Sequence, residues 1–391
     1  METAAARRSN RPVGACAPAV PDASRAEAIL PAVIETGAAR ARCRPSGCGN
    51  PQHLLVFAAR QGDLAMKAAW YERNGAAREA LIVGDLPEPQ PAPGEVLVRV
   101  RVSGVNPSDV KSRRGRPLAW PRIVPHSDGA GVIEAVGAGV SPSRVGERVW
   151  LWNGQWQRPF GTAAQFVALP AAQAVSLPAA VDFAAGACLG IPALTAVHAA
   201  NLVDPANGKT LLVTGAASSV GHYVTQIAAA RGARVIGTAS AERTAHARKA
   251  GATHVIDYKQ DHVAGRVAEL TGGTGADGIV DMDLSSTARL LSQGILAPHG
   301  HYICYGSNVP GEVVLPFADL LWRSVTLRFF LVYELRQDER ETAITQLTAM
   351  LEAGGLTHTI GARFSLDQIA AAHEAVEAGK FLGNVVIDIA G

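Results

Sequence analysis

The clearest chemical signal in the chain is Thr214-Gly-Ala-Ala-Ser-Ser-Val-Gly221, which leaves an apolar run, Thr210–Thr214, and opens a helix-length segment, Val220–Arg231. Small residues at such a turn let backbone N–H groups approach a pyrophosphate at a helix N-terminus. Ser218 stands where the common glycine pattern has its middle glycine, so the loop alone also describes an ordinary strand-to-helix turn. A complete strand–helix–strand setting favours dinucleotide binding over that turn. The second strand, Arg234–Thr238, runs into Ala239 and Ser240 and carries no acid for a ribose 2′-hydroxyl. Arg243 follows, and Tyr258 closes the next strand. An uncharged pocket beside a guanidinium suits a 2′-phosphate, which favours NADPH over NADH. The alternative for Arg243 is a solvated first-turn residue.

The elements that must position these residues fall into two rhythms. Up to about Ala185 the chain reads as short strands broken by Gly and Pro. They are Met66–Tyr71, Ala80–Val83, the alternating Glu95-Val-Leu-Val-Arg-Val-Arg-Val102, Gly129–Val136 and Glu147–Trp152. Pro87, Pro89, Pro91 and Pro93 mark a linker that no helix can cross. This spacing predicts a β-rich, barrel-like domain. After Pro192, strands alternate with helices: further strands are expected at His254–Asp257, Asp277–Met282 and His301–Tyr305, and helices at Glu242–Ala250, Glu341–Ala353 and Leu366–Ala378. Asn384–Ile389 reads as a final strand. The fold class is therefore α/β, with a doubly wound parallel sheet beside a β-rich domain.

Composition removes several function classes. The net charge is +2 with 18% charged residues, which argues against a nucleic-acid binder acting through bulk charge. The most apolar stretch, Phe183–Val197, is interrupted by Pro192 and is too short to span a bilayer. Five cysteines fit a reducing compartment, so a cytoplasmic location is expected. Residues 1–65 differ from the rest, with eight Arg, no Lys, five acids and three of the cysteines. The expectation there is an extension without regular structure; a transit peptide and a partner-binding tail are the alternatives.

With these motifs in order, the chain from Met66 to Gly391 resembles the zinc-independent quinone oxidoreductases (zeta-crystallin type) of the medium-chain dehydrogenase/reductase superfamily. The matching segments are Gly104-Val-Asn-Pro-Ser-Asp109, Pro125-His-Ser-Asp-Gly-Ala-Gly131, Val145-Gly-Glu-Arg-Val149 and Gly190-Ile-Pro-Ala-Leu-Thr-Ala196. The glycine loop, Lys249–Tyr258, Tyr305-Gly-Ser307 and Gly379-Lys-Phe-Leu-Gly383 also match. The resemblance implies a GroES-like catalytic domain, residues 66–187 and 331–391, around a Rossmann NADPH-binding domain, residues 188–330. It also implies a homodimer. By similarity Asn106 lines the nicotinamide end, Thr195 approaches the carboxamide, and Ala216, Ser218, Ser219, Val220 and Gly221 cradle the pyrophosphate. Ser240, Arg243 and Tyr258 would hold the 2′-phosphate end, while Tyr305, Gly306, Ser307 and Asn384 close over the coenzyme.

The zinc alcohol dehydrogenases of that superfamily need a thiolate and an imidazole where this chain has Asn106, Ser127 and Asp128. His126 is one residue out of register and reads as a hydrogen-bonding loop histidine, and no metal is expected. Without a Lewis acid, a small apolar quinone or conjugated enone is the expected acceptor, because its product anion is delocalised. An enoyl or alkenal double-bond reductase and a nucleotide-binding protein with negligible turnover are the alternatives. Lys111 stands where related enzymes often carry a Tyr, and reads either as a proton donor or as a solvated lysine. Trp150, Trp152 and Trp156, half of the six tryptophans, either line the acceptor pocket or pack structurally.

Overall fold

Apolar strands without alternation need both faces covered, and alternating ones need only one. The computed structural model, which describes residues 64–203, 206–309 and 311–389, sorts the strands in this way. The residues 1–63, to which most of the extension belongs, lie outside the described part. The first seven strands are β1 (Ala65–Trp70), β2 (Ile82–Pro87), β3 (Glu95–Val105), β4 (Asp128–Val136), β5 (Arg148–Leu151), β6 (Phe166–Pro170) and β7 (Ala174–Ser176). A parallel set follows: β8 (Thr210–Val213), β9 (Arg234–Ala239), β10 (His254–Asp257), β11 (Ala276–Asp281), β12 (Leu296–Cys304) and β13 (Thr326–Phe329). The last two strands are β14 (Ile360–Ser365) and β15 (Asn384–Asp388).

The parallel sheet has the order β10-β9-β8-β11-β12-β13. The chain begins this sheet in the middle at β8, moves outward to β10, and then returns to the other side through β11. A crevice therefore opens between β8 and β11, at the carboxyl ends of the strands. β8 is central because Leu211, Leu212 and Val213 are all buried between flanking strands. β13, whose side chains are mostly exposed, ends as an edge.

The second sheet is mixed, with the order β14-β15-β3-β4-β5-β7, and β6 also pairs with β3. β15, at the end of the chain, runs antiparallel to β3 near its start, so the C-terminal segment completes this sheet. The long β3 holds most of it together, pairing β4, β6 and β15. Five helices matter for the site: α1 (Pro107–Gly115), α2 (Leu194–Leu202), α3 (Ser219–Ala230), α4 (Gln337–Glu352) and α5 (Ile369–Ala378). Among the described residues no helix is long and apolar enough to cross a membrane.

Several local expectations shift: Leu366–Ala378, for one, opens with a 3-10 turn, Leu366–Gln368, before its helix. Ala80–Val83 is not one strand: Ala77–Ala80 forms a helical turn and β2 begins only at Ile82. The Glu242–Ala250 segment divides into a 3-10 turn, Ala241–Arg243, and a short helix, Thr244–Lys249.

Candidate active site

The glycine loop emerges from β8 with Gly215 at φ 62°, a left-handed conformation that favours glycine. A Cβ on Gly215 would lie 2.1 Å from the Met282 Sδ, and one on Gly221 would lie 2.1 Å from the Gly215 carbonyl oxygen. Gly215 is thus required by conformation, and Gly221 by the close approach of backbone. The Ser218 hydroxyl accepts a hydrogen bond from Gly221 N at 3.1 Å and caps α3. Thr238 of β9 steadies the loop from the other side, accepting from Gly215 N at 2.9 Å through Oγ1.

Behind the loop sits a buried acid. Asp281, at the end of β11, accepts from Thr214 Oγ1 at 2.6 Å, from Thr287 Oγ1 at 2.9 Å and from the Tyr302 hydroxyl. Burial pushes the Asp281 carboxyl up, and its three hydroxyl donors pull it only partly back. The hydroxyl of Thr214 in turn accepts from Met282 N at 3.0 Å, which fixes the β8 and β11 ends of the crevice relative to each other. Burial also acts on Asp283, but hydrogen bonds from Ser285, Asn308 and Ser286 outweigh it and hold that carboxyl below its ordinary value.

These residues line one cavity of about 520 Å³. Its walls include Gly215, Ala217 and Ser218 of the loop, Ala239, Ser240 and Arg243 after β9, Tyr258 after β10, and Asn308. It opens at the carboxyl ends of β8, β9 and β11, the switch point of the sheet. The residues fit a dinucleotide: a glycine cradle that a Cβ would fill, the N-terminus of a twelve-residue helix, and no acid at the end of β9.

Arg243 of that wall and the sequence-selected residues outside it sit among neighbours of their own. Ser219 donates through Oγ to Gly383 O at 3.0 Å, tying the start of α3 to the loop before β15. Arg243 reaches the same loop, donating from Nη2 to Gly379 O and, at 3.3 Å, to Phe381 O. Its Nη2 is committed to carbonyls while the side chain still faces the cavity. Ala216 and Thr195 are buried, and Val220 is half-buried beside them on α3. Tyr305 is held by Ser218 and its ring leans on Phe330, with centroids 6.4 Å apart. The Gly306 carbonyl accepts from Leu284 N at 3.1 Å. Asn384 is turned inward, its Nδ2 donating to Thr359 O at 3.2 Å.

The second cluster surrounds Asn106, which precedes α1. Its Nδ2 donates to Asp128 Oδ2 at 2.9 Å, and its backbone N donates to Asp109 Oδ2 at 2.8 Å. Burial pushes Asp109 up to about 7 and raises Asp128 well above the usual carboxylate range. Asp128 Oδ1 is buried without a hydrogen-bond partner. Lys111, one turn along α1, donates from Nζ to Ser307 O at 3.0 Å and so bridges to the segment after β12. His126 is buried and bonded to Ser103 and His373. Among the described residues, no group of three or more His, Cys, Asp or Glu is arranged to hold a metal ion.

The tryptophans separate. Trp150 is fully buried in the core. Trp152 donates to Ala172 O at 3.2 Å and lies under Arg340, 4.1 Å from its ring centroid. Trp156 stacks on Tyr333, with centroids 4.5 Å apart and planes 25° from parallel. Tyr333 and Asp281 were not singled out from the sequence. Asp281 closes β11 and Tyr333 lies in the turn beyond β13, and neither position carries a local sequence signal.

Comparison with known proteins agrees with this geometry. Residues 92–179 match the alcohol dehydrogenase GroES-like domain, and residues 219–349 match the zinc-binding dehydrogenase domain. The quinone oxidoreductase of Lama guanicoe is 31% identical over 323 residues, covering 80% of this chain and 94% of the relative. A 2-haloacrylate reductase of Burkholderia sp is 32% identical over 311 residues, covering 76% of this chain and 91% of the relative. A mycobacterial protein solved with NADPH superposes with TM-score 0.75 at 32% identity, covering 83% of this chain and all of its own. A quinone oxidoreductase of Pseudomonas syringae pv. Tomato DC3000 superposes with TM-score 0.75 at 29% identity, covering 83% and 99%. The extent of these matches, together with the glycine-loop cavity, places the chain in the quinone oxidoreductases of the medium-chain dehydrogenase/reductase superfamily.

Proposed function

We propose that the chain is an NADPH-dependent reductase of small apolar quinones or conjugated enones. The observation that carries this reading is the cavity at the switch point, lined by the glycine loop and Arg243, with no carboxylate at the end of β9. When bound, the dihydronicotinamide supplies a hydride. The chain's own residues hold and orient the reactants: Ala216 to Gly221 take the pyrophosphate, and Ser240, Arg243 and Tyr258 take the 2′-phosphate. Thr195, Tyr305, Gly306, Ser307 and Asn384 shape the nicotinamide end, where Asn106 and Lys111 face the acceptor. Two domains, residues 66–187 with 331–391 and residues 188–330, would supply the two walls. Five cysteines and the absence of a long apolar helix among the described residues are in keeping with a cytoplasmic setting.

A homodimer is part of this proposal. β13 is an edge strand of the parallel sheet; its Phe329 is exposed, as are Phe317, Leu321 and Trp322 of the short helix, Phe317–Trp322, that leads into it. A second copy presenting the same edge would cover it on both sides of a twofold axis.

A second reading is supported by the Burkholderia relative, whose name gives it a conjugated carbon–carbon double bond to reduce. One experiment separates the two: NADPH and NADH oxidation by the full-length protein with quinones, 2-alkenals, 2-haloacrylate and simple ketones. Turnover is expected with NADPH and quinones or enones but not with ketones, and Arg243→Ala should cost NADPH about tenfold more kcat/KM than NADH. Equal loss for both coenzymes would remove the 2′-phosphate assignment. Ketone reduction without quinone or enone turnover would remove the acceptor class.

A further inference from the structure

Lys111 Nζ gives one of its three N–H bonds to the Ser307 carbonyl, which draws it toward the segment after β12. A different donor stands beside Asn106. Tyr333 lies in the 3-10 turn Val332–Glu334, just beyond β13, and only 8% of it is exposed. Its hydroxyl is 2.9 Å from the hydroxyl of Ser108, the residue between Pro107 and Asp109. The Ser127 hydroxyl also reaches it. The rest of Tyr333 is gripped from other directions: its carbonyl accepts from Asn153 Nδ2 at 3.0 Å and from Arg340 Nη2 at 3.1 Å, and its ring stacks on Trp156. The phenol is thus rigid, and among the described residues its oxygen is bonded to the hydroxyls of Ser108 and Ser127, each of which can donate and accept.

We propose that Tyr333, reloaded through Ser108, is the proton donor to the acceptor oxygen; this rests on the quinone or enone reductase reading above. The acceptor takes a hydride from NADPH, leaving NADP⁺ and an enolate or hydroquinone anion. The Tyr333 O–H bond breaks, its proton bonds to that oxygen, and the phenolate takes a proton from Ser108, which recovers one from water. The sum is NADPH, one proton and acceptor giving NADP⁺ and the dihydro product. Burial and the neighbouring Asp109 push the phenol above its ordinary value, so it stays protonated until an anion forms beside it. Trp156 extends the same aromatic surface, with the Arg116 guanidinium 5.6 Å from its ring centroid.

The test compares the full-length wild type with Tyr333→Phe and Ser108→Ala. Tyr333→Phe should lower kcat about 100-fold, leave the Kd for NADPH within twofold, and change the solvent deuterium isotope effect on kcat. Ser108→Ala should give a smaller loss of about tenfold, with the same change in isotope effect. A readout independent of turnover is 4-nitrophenol, a stand-in for the product oxyanion. The wild type saturated with NADP⁺ should bind it at least tenfold more tightly than Tyr333→Phe does. Wild-type kcat and isotope effect in both variants, or equal nitrophenol affinity in Tyr333→Phe, would overturn the assignment. A wild type that binds nitrophenol through Tyr333 but reduces no quinone or enone would sink the reaction reading and leave the donor standing. If Tyr333→Phe melts lower than the wild type, Ser108→Ala decides by the same isotope and kcat criteria.

Discussion

His126 and His373 meet Nε2 to Nε2 at 2.9 Å with no exposure to water, and the surrounding hydroxyls settle where each proton lies. Thr162 Oγ1 donates to Asp128 O at 2.5 Å, so it must accept from Ser103 Oγ at 2.8 Å. Ser103 then accepts from His126 Nδ1–H at 2.8 Å. His126 Nε2 is left as an acceptor for His373 Nε2–H, and His373 Nδ1 is a bare buried acceptor. Both rings are neutral in this chain of bonds, which ends on the backbone of Asp128. Burial, reinforced by Arg113, pushes His373 down to about 3, and burial with His373 lowers His126 well below its ordinary value. Unfolded, both titrate near pH 6.5. Between those values the unfolded chain holds protons that the folded chain does not, so stability is full above about pH 6.5 and falls as the pH is lowered. Urea unfolding at pH 7, 6 and 5 should show this, and His373→Gln, which keeps a donor for His126, should flatten the slope by about one proton, or ~1.4 kcal/mol per pH unit. An unchanged slope in that variant would mean His373 is not held neutral. From sequence His126 was legible as a hydrogen-bonding histidine, but its partner lies 247 positions away and carries no local signal.

At the scale of elements, the glycine loop ties sequence to function most directly. Gly221 sits in the first turn of α3, where an added Cβ would strike the Gly215 carbonyl oxygen at 2.1 Å, and backbone cannot swing aside as a side chain can. Gly221→Ala should therefore widen the loop and raise the Kd for NADPH at least 100-fold, read by fluorescence titration. Gly115→Ala, at the end of α1 with nothing within 4 Å, should bind NADPH as the wild type does. Near-normal binding by Gly221→Ala would show that the loop does not cradle the phosphates. The strands that frame this loop were legible because they are short, apolar and bounded by turns: His254–Asp257 falls on β10 itself, and the others differ by a residue or a few. α2 was not legible as a helix, since Leu194 to Ala200 are buried on every side and leave no 3.6-residue stripe. β13 was missed for the opposite reason: its exposed edge faces give neither alternation nor a buried run. The cavity wall shows the same division. Arg243 and Tyr258 follow recognisable strand ends, whereas Asp281 and Tyr333 gain their roles mostly from distant residues, Thr214 being 67 positions from Asp281 and Ser108 225 positions from Tyr333.

For the whole molecule, the open edge of the parallel sheet has the largest consequence. Trp322 is 86% exposed and Phe317 73%, both on the short helix that leads into a strand with one unpaired side. Side chains of this size in water around a free ladder of N–H and C=O groups invite another strand, and antiparallel pairing of β13 with its own copy satisfies both the ladder and the apolar flank. Sequence alone offered the dimer only through resemblance, because Trp322 ends an apolar run that reads equally well as buried. If the edge is the interface, the full-length protein at about 10 µM should sediment as twice its 40.7 kDa chain mass. Trp322→Glu combined with Phe317→Glu should shift it to the monomer, since two like charges would face each other across the twofold axis. Leu327→Pro removes a backbone donor from β13 and should weaken the dimer by a separate route. The glycine-loop cavity lies at β8, β9 and β11, on the other side of the sheet's centre, so the monomeric double variant should still bind NADPH. A wild type that sediments as a monomer, or a double variant that stays dimeric, would place any assembly on a different face.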